Sequence, residues 1–315
     1  MTLEFELTGF ADELTDQAVL KKGWQAGGNR LEVIKSDLET QINAFKEFEI
    51  PAIELRNVGG VNVAELADEE ALYIAEELKS NGFKISALGS PDGKIDIQDD
   101  LDSHYKQFKR IVQLAGIFQE ARVFPEKYIR IFSYYNNGKP QLSQVKHMNI
   151  AIAELGKRVR YARQHMVTLL HENESGIYGT TPERCKELLD GVNPPYLKAI
   201  FDPANFVHHM AATREKVDIL KAVKVLEHSI VYVHNKDWVI KEDKAVIPGK
   251  GDGKIFDLLL FLSKKKNGTM YLSMEPHLGE ARASSGVTPK ELYKEAVDAT
   301  KAIIKRVCEY APCRG

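Results

Sequence analysis

The chain predicts an α/β fold, a single (β/α)8 barrel of parallel strands ringed by outer helices, on three observations. Short apolar runs alternate with segments of helical period from one end of the chain to the other, as βα repeats require. Eight apolar runs occur, each followed by a helical segment, which matches one closed sheet. Four runs in the second half end on a carboxylate or a histidine, at successive intervals of 30, 32 and 41 residues, about one βα unit each. Such barrels collect their catalytic groups at the C-terminal mouth of the strands.

Taken in order, the strands read at 5–10, 51–56, 84–89, 129–133, 167–172, 198–202, 230–234 and 270–275. Helical segments fall at 37–48, 64–81, 102–115, 144–165, 182–189, 213–226, 254–265 and 289–310. Thr181-Pro182-Glu183 and Thr288-Pro289-Lys290 each place a hydroxyl cap before a proline at the first helical position. Residues 12–36 are longer than one βα loop requires and hold a Trp and a Gly-Gly pair, which suits an extra helix over the mouth or against the outer wall. Residues 124–128 read as a kink or insertion ahead of the fourth strand. With no Gly/Ser linker, low-complexity tract or short repeat, residues 1–315 are expected to form one domain.

A hydrophobic fraction of 43% over 315 residues supplies a barrel-sized core. A formal charge of −2 argues against broad attraction to nucleic acid or a membrane, which rests on a basic excess. The stretch MTLEFELTGFADEL carries acids where a signal peptide carries Lys or Arg, and no apolar run approaches a spanning length. Cys185, Cys308 and Cys313 are too few and too scattered for a disulfide framework and fit free thiols in a reducing cytoplasm.

The four terminated runs are VTLLHENE, LKAIFDPANF, IVYVHNKD and MYLSMEPH, ending at Glu172 or Glu174, Asp202, His234 and Glu275. Oxygen and imidazole donors in this combination suit one divalent ion: Mn, Mg, Co or Zn. Alternation sends Glu172 and Glu174 to the same side; Glu172, nearer the rigid run, is preferred. Pro203 biases Asp202 to extended backbone, so it serves either the mouth or an Asx turn, and Asn205 lies within reach. His208 and His209 open the next loop or helix and are weaker ligand candidates. Lys236, two residues beyond His234, is placed to meet a substrate oxygen; Arg56 and His277 are further substrate contacts. On the last strand Ser273 and Glu275 should face the barrel axis, with Leu272 and Met274 turned outward. The segment Pro248-Gly249-Lys250-Gly251-Asp252-Gly253-Lys254 lacks P-loop spacing and reads as a loop beside the mouth that closes on substrate.

HENESGIYGTTPERC, FDPANF, VYVHNKDW and LSMEPHL, with GFADEL, IELRNVGG, LGSPDGK and IRIFSYY upstream, resemble the xylose isomerase-like barrel superfamily in its sugar phosphate isomerase/epimerase branch. The resemblance spans nearly the whole chain. It implies one divalent metal held by Glu172, Asp202, His234 and Glu275. Ketose 3-epimerases of this superfamily carry a histidine three residues after the aspartate ligand and an arginine six after the histidine ligand; here Asn205 and Ile240 stand instead. Endonuclease IV needs early histidines, and none precedes His104.

The expected activity is therefore metal-dependent isomerisation or epimerisation of a sugar, sugar phosphate or related polyol through an enediolate. Glu172 and Glu275 would exchange the proton. The alternatives are dehydration of an inosose-like keto-polyol and a non-catalytic sugar-binding barrel. The partner is a small carbohydrate, without nucleic acid or membrane, and self-association into a homo-oligomer stays open.

Overall fold

Period-two alternation in the apolar runs turns one set of side chains inward and the other toward helices, and eight parallel strands result. They are β1 (Leu3–Gly9), β2 (Ala52–Leu55), β3 (Lys84–Leu88), β4 (Tyr128–Ile131), β5 (Thr168–Glu172), β6 (Leu197–Phe201), β7 (Ile230–Asn235) and β8 (Gly268–Met274). The computed structural model describes residues 2–15, 20, 24, 29–136, 141–192, 195–281 and 286–315. Strand ladders run in the order β1-β8-β7-β6-β5-β4-β3-β2, all parallel. The ring closes where β1 and β2 lie side by side, without a continuous ladder between them. All eight expected strands are present, within two residues of the expected ends.

The helices are α1 (Arg30–Glu47), α2 (Asp68–Ser80), α3 (Leu101–Glu120), α4 (Gln141–Gln164), α5 (Pro182–Val192), α6 (Pro203–Thr213), α7 (Ile219–Leu226), α8 (Ile255–Lys265) and α9 (Pro289–Tyr310). Thr288 caps α9 as the Thr-Pro motif predicts, and Glu291 completes a capping box with it. Helix α1 begins seven residues before the expected start because the Asn29 side chain accepts a hydrogen bond from the Leu31 amide at 3.1 Å. The long first connection also contributes a 3-10 turn, Ala11–Leu14, at the mouth; residues 16–19, 21–23 and 25–28 lie outside the described ones. The separate helix α6 was not expected; Asp202 nucleates it, as shown below. No helix among the described residues is long and apolar enough to cross a membrane.

The free-thiol expectation for the C-terminal cysteines is overturned. Cys308 and Cys313 form a disulfide, and only Cys185 is free. The chain reverses after α9 and pairs Cys313–Arg314 with Leu3 and Glu4 of β1, which brings the two Cα atoms within 5.0 Å. Spacing alone did not reveal that reversal.

Two apolar layers hold the barrel. The larger lies between strands and helices and includes Leu272 and Met274, the outward members of β8. The smaller fills the interior with Ala52, Ala87, Leu170, Ile200, Tyr232 and Tyr271, small side chains on β2 and β3 opposing tyrosines on β7 and β8. One inward position higher stand Glu54, Glu172, His234 and Ser273. Asp202 and Glu275 follow at the ends of their runs. The site is thus the next inward layer of the barrel.

Candidate metal centre and substrate cavity

The structure brings Glu172, Asp202, His234 and Glu275 together: one donor atom from each lies within 4.8 Å of the others, and all four side chains are buried. His234 Nδ1 lies 3.1 Å from Glu172 Oε1 and 3.1 Å from Glu275 Oε2. Asp202 combines both of its expected roles. Its Oδ1 accepts from the Asn205 amide at 2.9 Å and caps α6, while its Oδ2 points into the cluster. Glu174 turns away to Lys94 (3.2 Å), so Glu172 is the member of that pair in the cluster.

Two further charged residues escaped sequence reasoning. Glu54 lies beneath His234, 3.2 Å from its Nε2, and accepts hydrogen bonds from Tyr232 Oη (2.9 Å) and Ser273 Oγ. Arg130 from β4 donates to Glu172 Oε2 at 3.2 Å and to the Gly89 and Ser90 carbonyls. Each is a charge at an inward position inside a strand, in AIELR and YIRI; that alternation was the available signal.

The predicted substrate contacts all reach the cavity, which holds about 600 Å³. Asn205 donates to Glu172 Oε1 at 3.0 Å. Lys236 is buried, with Nζ 2.8 Å from Asp202 Oδ2 and 3.2 Å from Glu275 Oε2. Arg56 links the 3-10 turn to the site through Asp12 (2.9 Å) and Glu275 (3.3 Å). His277 sits at φ 50°, a left-handed conformation, with Nε2 3.1 Å from Glu275 Oε1 and its amide donating to Glu13 at 2.9 Å. His208 lines the cavity, whereas His209 is tied to Thr180 and Glu215 away from the cluster.

The expectation for the glycine-rich loop needs correction. Asp237 accepts backbone N–H bonds from Gly249 and Gly251 at 2.8 Å and from Gly253 and Trp238 at 2.9 Å, fixing the loop from within. A Cβ on Gly251 would lie 2.3 Å from Asp237 Oδ1, so only glycine passes there. The neighbouring hairpin of Asp237–Val239 and Lys244–Val246 instead contributes Trp238, Asp243, Lys244 and Ala245 to the cavity wall.

Charge dominates the cluster's electrostatics. Burial opposes ionisation of Glu172, but His234 and Arg130 hold its pKa at about 2. Burial pushes Asp202 up to about 6, with Lys236 offsetting part of that rise. Against the same burial, Lys236 and His234 hold Glu275 well below the carboxylate range. His234 and Lys236 are raised despite their own burial, His234 by Glu172, Glu54 and Glu275, Lys236 by Asp202 and Glu275. Four buried carboxylates thus face one imidazole and a few cations. Asp202 Oδ2 is buried and accepts no hydrogen bond in good alignment, despite its nearness to Lys236. A buried oxygen in that state and a compact set of oxygen and nitrogen donors fit a divalent cation.

A parallel barrel with a carboxylate and imidazole cluster at its C-terminal mouth defines the class to which the comparisons point. Residues 42–303 match the xylose isomerase-like TIM barrel family, and the chain belongs to it. Its relatives include the inosose dehydratase of Mesomycoplasma hyopneumoniae strain 7448, 23% identical over 78% of this chain and 84% of that protein. Among solved structures, the IOLI protein with a bound zinc atom superposes with a TM-score of 0.68 at 16% identity, over 98% of this chain and 99% of that one. An L-ribulose 3-epimerase gives 0.67 at 14% identity, over 96% of both chains.

Proposed function

We propose that this chain is a divalent-metal-dependent isomerase or epimerase of a neutral keto-sugar or related polyol, working through an enediolate. One observation carries the reading: His234 Nδ1 lies 3.1 Å from carboxylate oxygens of both Glu172 and Glu275, so two carboxylates flank one point at the cavity floor. Glu172, Asp202, His234 and Glu275 would hold the ion. When bound, it would polarise the substrate carbonyl as a Lewis acid. Glu275 removes the proton α to the carbonyl and returns it at the adjacent carbon for isomerisation. For epimerisation Glu172 takes a proton from water and delivers it on the opposite face, and Glu275 releases its own to water. Lys236 supplies positive charge beside the developing enediolate oxygen. Glu54 fixes the ring of His234 from below, and Arg56 and Arg130 orient the two carboxylates.

The cations on the cavity wall support a neutral substrate. Arg56, Lys94, Arg130, Lys236 and Lys244 each have a carboxylate partner within 3.3 Å, a distribution that favours hydroxyl groups over a phosphate. A second reading, dehydration of an inosose-like keto-polyol, shares the first proton abstraction. It is favoured by His277, a further group beside Glu275 for protonating a departing hydroxyl, and by the inosose dehydratase relative.

The test is deuterium uptake from D₂O by a panel of ketoses and inososes with metal-loaded protein. Uptake with conserved mass apart from deuterium supports isomerisation, and a product lighter by one water moves the assignment to the lyase. Glu275→Gln, which removes the proton acceptor, should abolish uptake; full uptake in that variant under saturating metal excludes Glu275 as the base.

A further inference from the structure

Two features of the cavity go beyond enolisation at its floor. The first is size. A hexose of roughly 12 heavy atoms fills at most about 360 Å³, even at the ~30 Å³ that each liquid water molecule occupies. The cavity, open to solvent on one side, is about 600 Å³, so room remains beyond the first ring. The second is its outer wall. There the indole of Trp238 meets the imidazole of His208, ring centroids 4.8 Å apart at 45°, and both rings line the cavity. Trp238 is half-buried, and its Nε1 is held by Asp243 at 3.0 Å.

The backbone that carries the ring is also fixed. Trp238 follows Asp237, whose carboxylate gathers the four backbone N–H groups described above. A side chain anchored this way loses little further freedom when a ligand stacks on it, which is how aromatic anchors gain affinity.

We propose that the Trp238–His208 wall is a second-ring subsite. The substrate is then a glycoside-like molecule: one sugar or polyol ring lies at the floor, and a second ring presents a flat apolar face to the indole. An aromatic aglycone and the C–H face of a second sugar share this chemistry. The proposal rests on the enolisation reading only for which ring occupies the floor.

Binding is read without turnover, which separates the two. In a Trp24→Phe background Trp238 is the remaining tryptophan of the two in the chain, so its fluorescence reports the wall. Metal-loaded protein is titrated with phenyl and methyl glycosides of glucose, galactose and mannose in matched pairs, and with the corresponding disaccharides. At least one phenyl glycoside or disaccharide should bind about 10-fold tighter than its methyl partner and perturb the Trp238 emission. By calorimetry Trp238→Leu should erase that gap, while Trp238→Phe keeps part of it. A phenyl preference assigns the second ring as an aglycone, and a disaccharide preference assigns it as a sugar. Equal affinities across every pair, or a gap that survives Trp238→Leu, overturn the subsite. Absent deuterium uptake overturns the enolisation reading and leaves a measured ring preference standing.

Discussion

Glu54→Gln tests whether the layer beneath the cluster prepares it for a cation. The Glu54 carboxylate lies 3.2 Å from His234 Nε2 and also accepts from Tyr232 Oη and Ser273 Oγ. As an acceptor it keeps the proton on Nε2, so that Nδ1, which faces the Glu172 and Glu275 carboxylates, is the nitrogen that can give up its proton to a bound cation. Glutamine preserves the volume but can turn an N–H₂ donor to Nε2, which favours the opposite tautomer and places the proton on Nδ1. A hydrogen bond to a charged group contributes about 1.5–3 kcal/mol and a neutral one about 0.5–1.5. The difference, about 1–1.5 kcal/mol, corresponds to roughly 10-fold in affinity, at the lower end of the 10–100-fold losses seen when a ligand's supporting partner is removed. Competition against a fluorescent chelator measures the affinity, and circular dichroism verifies the fold. An unchanged affinity in a folded variant would refute the claim that Glu54 orients His234 for a metal.

Three further outcomes are expected. Lys236→Met leaves Asp202 and Glu275 without their ammonium partner, so the metal-free protein should lose about 3–5 kcal/mol, as removal of one member of a buried ion pair does. The gain in melting temperature on adding Mn²⁺ should then exceed that of the wild type, and equal gains in both proteins would contradict a shared cation site. Asp237→Ala orphans four backbone N–H groups and should cost about 4 kcal/mol in urea unfolding; a loss under about 1 kcal/mol would show that the glycine loop is held by other contacts. Burial pushes the His171 pKa from 6.5 down to about 4. Between those values the unfolded chain binds a proton that the folded one does not, so stability falls as pH drops from 6.5 toward 4, by about 3 kcal/mol in all. His171→Leu should flatten that part of the stability–pH curve, and an unaltered slope would remove His171 as its source.

Much of the barrel was legible because its signals are local. Strand alternation and helical period are properties of a few adjacent residues, and they placed all eight strands. The ends of the last four runs offered Glu172 or Glu174, Asp202, His234 and Glu275, since a polar residue at the close of an inward-facing apolar run lies near the mouth. The choice of Glu172 over Glu174 and the double role of Asp202 came from the structure. Local signals do not report what stands across the ring. Glu54 and Arg130 were visible as charges inside strands, but their partners His234 and Glu172 lie 180 and 42 residues away, and only closure of the sheet pairs them. The same holds for Asp237, whose side chain gathers the amides of a loop that the sequence presents simply as glycine-rich. It holds for Cys308 and Cys313, joined because the chain end turns back onto β1. Composition and periodicity thus determined the layers of this protein and the floor of its cavity. Burial, charge pairing and the shape of the outer wall were decided by long-range packing, because those quantities depend on groups that meet only when the barrel closes.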